Sequence, residues 1–252
     1  HGPAAPSSGY VSKGTFQEVD GLSYYCVGQG EHAILVGHDV YGASSGRTQE
    51  ICDGMAESLG VVVVVPEFFG KGCSIQGCAE SAYLFDGNLG WGAWYKVPAL
   101  VIGSLSNLPC FLRNLACFKW DKVGADVRDK VMPMLRQRGV KRFGAMGFCW
   151  GGWFVTHISS MEEISCGVTF HPSAGQVAKM LGDNLQEMCD KVQCPQMLLA
   201  AGPDEAVAKE GGLMHKAYGA KPHGKDCVFR TFCTMKHGWV NRGPDEDGDS
   251  IM

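Results

Sequence analysis

Cys149 lies in Gly147-Phe148-Cys149-Trp150-Gly151, a G-x-C-x-G pattern that sets a nucleophilic side chain between residues without a Cβ. Arg142 to Met146 reads as a strand and the residues after the glycines as a helix, so Cys149 falls on a tight strand-to-helix turn. Such a turn folds the backbone back on itself, which glycine neighbours permit. At a helix start the peptide dipoles favour a thiolate over a thiol. The competing reading is a buried structural cysteine in a glycine-rich turn, since short motifs also arise by accident.

A nucleophilic thiol needs a base within hydrogen-bond reach and a group that orients the base. Downstream, the strand-like QMLLAA (Gln196 to Ala201) runs into Gly202-Pro203-Asp204-Glu205, and DCVFRTFC (Asp226 to Cys233) runs into Thr234-Met235-Lys236-His237-Gly238. Asp204 and His237 thus follow Cys149 in the order nucleophile, acid, histidine, each in a loop after a strand. Taken singly, a helix-capping Asp and a surface His are the ordinary readings; their joint placement behind the turn argues for a triad. His171 also follows a strand but precedes Asp204, which breaks the order. His157 falls within the helix after Cys149, and His215 and His223 have no such loop placement.

The elements that position these residues alternate. Phe16 to Val27 reads as an edge hairpin turning at Asp20-Gly21, and Ala33 to Val36 as a short buried strand opening into Gly37-His38-Asp39-Val40-Tyr41-Gly42. Thr48 to Leu59 has helical spacing. Val61 to Val65 reads as a central strand buried on both faces and stopped by Pro66. Asp121 to Arg138 is expected as an amphipathic helix, followed by the strand before Cys149. Later come a strand at Gly167 to Phe170 and helices over Gln176 to Cys189 and Ala206 to Tyr218, interleaved with the strands named above. Strand and helix in alternation predict one α/β domain spanning residues 1–252, with a mostly parallel, doubly wound sheet and helices on both faces. Residues 1–9 read as a loose arm and 244–252 as an acidic tail. Residues 67–120, with Tyr83, Trp91, Trp94 and Tyr95, read as a pocket wall or as two or three packed helices.

The net charge of −4 and the absence of a basic stripe argue against nucleic acid as a partner, and no apolar run reaches the length of a membrane helix. The twelve cysteines contain no C-x-x-C and no histidine pair in zinc register, so no metal or other cofactor is expected. Scattered cysteines in a chain of 252 residues suggest the cytoplasm or another reducing compartment. The chain starts at His1, which reads as an end from which any targeting peptide has been removed, so organelle targeting stays open.

Four segments resemble the dienelactone hydrolase (carboxymethylenebutenolidase) family of the α/β-hydrolase superfamily. They are GHDVYG (Gly37 to Gly42), VVVVVPEFFGKG (Val61 to Gly72), GFCWGG (Gly147 to Gly152) and HGWVNR (His237 to Arg242). The resemblance spans roughly residues 30 to 243 and implies an α/β-hydrolase fold. It implies a Cys149, Asp204, His237 triad, an acidic Asp39 that contacts the resting cysteine and helps ionise it when substrate arrives, and Arg242 as the group that binds a substrate carboxylate. The backbone N–H groups of Val40 and Trp150 are then expected to form the oxyanion hole. The implied activity is hydrolysis of a small lactone or ester, carboxylate-bearing, through a thioester. The alternative is a non-catalytic relative serving as a binding subunit of a larger assembly. Three features depart from the family pattern: His38 before Asp39, Glu67 in place of Asp, and an acidic GPDEDGDSIM where another helix is expected.

Overall fold

Val62 to Val65 show how the sheet forms. Val62 and Val64 pack into the apolar layer on one face, while Val63 and Val65 pack into the layer on the other. Successive side chains of a strand point to opposite faces, so β-branched residues at every position suit only a strand covered on both sides. Burying each such side chain contributes about 1.5–3 kcal/mol.

The computed structural model describes Ser7 and residues 9–69 and 118–243. Among the described residues eight strands form one sheet: β1 (Thr15–Val19), β2 (Leu22–Val27), β3 (His32–Gly37), β4 (Val62–Pro66), β5 (Arg142–Phe148), β6 (Ile164–Phe170), β7 (Gln196–Ala201) and β8 (Val228–Phe232). Their order is β1-β2-β4-β3-β5-β6-β7-β8. β1, β2 and β4 pair antiparallel, and every pairing from β4 through β3 to β8 is parallel. The expected hairpin at Asp20-Gly21 is present, with β1 at the edge. Pro66 does not stop β4 early; it closes the strand opposite Tyr24. This is the mostly parallel α/β-hydrolase sheet that the sequence predicts.

On one face lie the helix Gly151–Ile158 and the helical stretch from Trp120 to Gln137; on the other lies the helix Thr48–Leu59. The stretch Trp120 to Gln137 differs from the single α-helix expected. It is α-helical over Trp120–Ala125, widens to a π-helix over Asp126–Val131, and is α-helical again over Met132–Gln137. Pro133 has no N–H to return to the preceding turn and crowds its carbonyl, which a wider turn relieves.

Two other expected helices are broken. Gln176 to Cys189 divides into Ala174–Leu181 and Leu185–Lys191, because Gly182 adopts φ +82° as a left-handed cap and Asn184 accepts from the amides of Gln186 and Glu187 to start a new helix. Ala206 to Tyr218 divides at Gly211 and Gly212 into a single 3-10 turn, Ala206–Ala208, and the helix Leu213–Gly219. The aromatic patch at Tyr83 to Tyr95, most of the 67–120 segment and the acidic tail lie outside the described residues. No helix among the described residues is long and apolar enough to cross a membrane.

Candidate active site

β5 ends at Phe148, and the next residue, Cys149, holds φ +54°, a left-handed conformation that costs a non-glycine residue energy. Two hydrogen bonds from the β6 end fix this turn. The Cys149 amide donates to the Phe170 carbonyl at 3.2 Å, and the Ser173 amide donates to the Cys149 carbonyl at 2.9 Å. The glycines are required by close approach rather than by mobility. A Cβ on Gly151 would overlap the Gly37 carbonyl, and one on Gly147 would overlap the Gly151 carbonyl. The helix therefore starts hard against the β3 end, with Trp150 as its capping residue.

The β7 end carries Asp204 and the β8 end carries His237, and the structure brings them together. The His237 Nδ1–H donates to Asp204 Oδ1 at 2.6 Å, and the Ala201 amide donates to Asp204 Oδ2 at 2.6 Å. With Nδ1 committed, Nε2 is the nitrogen left to act on Cys149, whose ionisation the neighbouring His237 favours. Burial alone pushes the Cys149 thiol up. The His237 cation and the Arg242 charge outweigh burial and hold the thiol below its ordinary value. Burial disfavours the His237 cation, but the thiolate and Asp204 raise it to about 10. Each group thus favours the charged form of the other. The Ser173 hydroxyl lies 3.6 Å from the sulfur.

Asp39, fully buried, is engaged on both oxygens. Oδ1 accepts from the Tyr41 amide at 2.9 Å; Oδ2 accepts from Ser45 Oγ at 2.8 Å and Asn241 Nδ2 at 2.9 Å, and forms an ion pair with Arg242 Nε at 3.3 Å. Asp39 thus acts on Cys149 through its charge, which opposes ionisation, rather than through a hydrogen bond. Arg242 is not an open surface cation. Its side chain is 5% exposed, paired with Asp39, with the guanidinium over the Tyr41 ring at 5.1 Å. Val40 follows Asp39 in the β3 loop and Trp150 follows Cys149. The β3–β5 pairing of Gly37 with Gly147 sets these two loops side by side.

His38, a departure from the family pattern, is a structural crosslink. Its Nδ1–H donates to the Asp39 carbonyl at 2.6 Å, its Nε2 accepts from the Phe68 amide at 3.3 Å, and its ring stacks on Trp150. Glu67 accepts from the Ala43 amide at 2.9 Å and the Phe69 amide at 3.2 Å, bracing the same loop. Sequence reasoning set His171 aside because it precedes Asp204 and did not single out Ser173 or Asn241; here His171 lies against His237, Ser173 beside the Cys149 sulfur, and Asn241 on Asp39. The signal for His171 and Ser173 lay in sheet order: β6 adjoins β5, so its terminal loop must wrap the cysteine turn. Among the described residues no group of three or more His, Cys, Asp or Glu side chains could hold a metal ion.

A sequence model described as the dienelactone hydrolase family matches residues 19–250. No curated protein sequence matches the chain. Among solved structures, a putative dienelactone hydrolase from Klebsiella pneumoniae subsp. pneumoniae MGH 78578 superposes with TM-score 0.56 at 15% identity, over 95% of this chain and 92% of that one. Est1E from Butyrivibrio proteoclasticus does so with TM-score 0.51 at 16% identity, over 90% of each chain. The esterase Pf2001 from Pyrococcus furiosus gives TM-score 0.50 at 15% identity, over 96% of this chain and 93% of that one. At such identities the structural likenesses speak for the fold.

Proposed function

Because the chain belongs to the dienelactone hydrolase family and is on that ground a hydrolase of carboxylic esters, we propose that it cleaves a small ester or lactone by cysteine catalysis, with Cys149, His237 and Asp204 as its triad. The observation that carries this reading is the 2.6 Å hydrogen bond from His237 to Asp204 beside a thiol that the His237 charge holds below its ordinary pKa.

The Cys149 thiolate attacks the carbonyl carbon, and the carbonyl π electrons move to oxygen. The N–H groups of Val40 and Trp150, with the helix start behind Trp150, stabilise that oxyanion. As the tetrahedral adduct collapses, the C–O bond to the leaving oxygen breaks and His237 Nε2–H protonates it, leaving a Cys149 thioester and a neutral imidazole. Water then attacks the thioester while His237 takes its proton. The C–S bond breaks, the acid departs, and the thiolate–imidazolium pair is restored. Asp204 holds the His237 tautomer throughout.

Arg242 offers the anionic end of a substrate a cation to bind: a carboxylate shares the guanidinium with Asp39, near the Cys149 thiol whose ionisation Arg242 already favours. The test is hydrolysis of a reporter ester by the parent and by Cys149→Ala, with intact-mass detection of the acyl-enzyme. The parent should accumulate one acyl group on Cys149 and the variant should lose at least about 10³-fold in kcat. Turnover by Cys149→Ala at the parent rate, or acylation of another residue, would overturn the reading.

A further inference from the structure

The residue between β6 and the next helix that the triad does not use is His171. It is fully buried and holds φ +37°, one of three non-glycine residues among those described with a positive φ; another is Cys149 itself. Its amide donates to the Leu199 carbonyl at 2.8 Å, which pins its backbone to β7. The following Pro172 lies against Gly152, where any Cβ would strike the proline ring, and Ser173 binds the Cys149 carbonyl. His171-Pro172-Ser173 is therefore a strap drawn over the cysteine turn.

The imidazole of His171 sits edge-to-face with that of His237, ring centroids 4.9 Å apart and planes at 70°. The Asn241 side chain is the hydrogen-bonding group beside it, and neither ring nitrogen meets a partner at ordinary hydrogen-bond geometry among the described residues. Asn241 in turn serves Asp39 and Thr48. Burial, with the His237 and Arg242 cations, holds His171 uncharged far below the ordinary histidine range. A strained backbone and a fully buried ring set edge-to-face on His237, at one residue, point to a role in the reaction.

We propose that His171 is a positioning residue: an uncharged ring that backs His237 from the β6 loop and keeps its Nε2 in line with Cys149 while the proton moves to and fro. A neutral aromatic ring can face the imidazolium favourably and cannot compete for its proton. This role rests on the triad reading above.

The test compares His171→Leu, which removes the ring, with His171→Phe, which keeps a ring without nitrogens, and His171→Gln, which keeps polarity without a ring. On a reporter ester, Leu and Gln should lower kcat roughly 10- to 100-fold, the size of a small misplacement at the reacting centre, with KM little changed; Phe should stay within about threefold. The pH of half-maximal Cys149 alkylation should rise in Leu and Gln and not in Phe, because a loosely held His237 ionises the thiol less. The Gln variant serves should the Leu variant fail to fold. Parent-like kcat and alkylation profiles in both Leu and Gln would overturn the proposal, as would a Phe variant as impaired as Leu with no shift in thiol titration in either. Cys149→Ala, measured alongside, separates the two claims. Activity there removes the triad reading and this role with it, whereas an inactive Cys149→Ala beside parent-like His171→Leu and His171→Gln removes only His171.

Discussion

A thiol this well buried, with Asp39 nearby, would keep its proton were it alone; at Cys149 the His237 cation reverses that balance. The consequence for pH can be signed. A thiol whose pKa is lowered becomes reactive below the ordinary value of about 8.5. In His237→Gln the burial and the Asp39 charge are left without their main opponent, so half-maximal alkylation of Cys149 should move above that value. At pH 7 the rate should fall at least about tenfold, one pKa unit being tenfold in thiolate fraction. Iodoacetamide labelling against pH, with peptide mapping, measures both proteins; coincident profiles would mean that His237 does not ionise Cys149. Asp204 is equally specific in what it can lose. Its two oxygens accept from His237 Nδ1–H and from the Ala201 amide, and an asparagine has one acceptor for two donors. Asp204→Asn should fold but slow ester turnover by roughly 10²- to 10⁴-fold. Parent-rate turnover would hand the orienting role to another carboxylate. Glu205 does not fit that role, because its carboxylate accepts from the Gly175 amide at the start of a neighbouring helix.

The elements that carry Cys149, Asp204 and His237 were legible in the sequence because each is a strand followed by a loop, a pattern set by local burial and turn chemistry. Thr48–Leu59 and Gln196–Ala201 match their expected bounds for the same reason. What periodicity could not show were the breaks. Apolar spacing runs on through Gly182 and through Gly211-Gly212, yet a left-handed glycine and a capping Asn184 end and restart the chain there. Nor could it show that β6 neighbours β5, which alone makes His171 and Ser173 part of the site. Two glycine substitutions should separate backbone conformation from close approach. Gly182→Ala meets open space but must hold φ +82°, so it should cost about 1 kcal/mol in urea unfolding and leave turnover unchanged. Gly151→Ala drives a methyl into the Gly37 carbonyl, so it should cost about 2–3 kcal/mol and displace the turn at Cys149, with turnover falling by more than the stability loss explains. Equal effects from the two would mean that the helix start is not held by contact with β3.

Across the whole molecule, the last helix described, Trp239–Arg242, closes back on the loop after β3, joining residues some two hundred positions apart. Asn241 reaches Asp39 and Thr48, the Arg47 amide donates to the Asn241 carbonyl at 2.8 Å, the Arg47 guanidinium donates to the Val240 carbonyl at 3.0 Å, and Arg242 pairs with Asp39. The sequence resemblance marked Arg242 as a substrate anchor and gave no sign of this closure, because it depends on where the β8 loop crosses the sheet. The two roles predict different things and can be measured on one variant. Arg242→Ala leaves the buried Asp39 charge without its cation, which should destabilise the fold by about 3–5 kcal/mol; adding Asp39→Asn should recover at least about 1 kcal/mol of that, since the stranded charge is then gone. In catalysis, Arg242→Ala also withdraws a charge that favours the Cys149 thiolate, so every substrate should lose some rate. A bidentate contact to a substrate carboxylate is worth about 1.5–3 kcal/mol, so kcat/KM for a carboxylated lactone should fall a further 10- to 150-fold or so beyond the loss on a neutral ester. The ratio of the two losses, at one ionic strength and below the unfolding range of the variant, isolates the contact from the closure. A ratio near one, with the double variant still recovering stability, would leave Arg242 as the bolt between β3 and the final helix, and the preference for anionic substrates would have to be withdrawn.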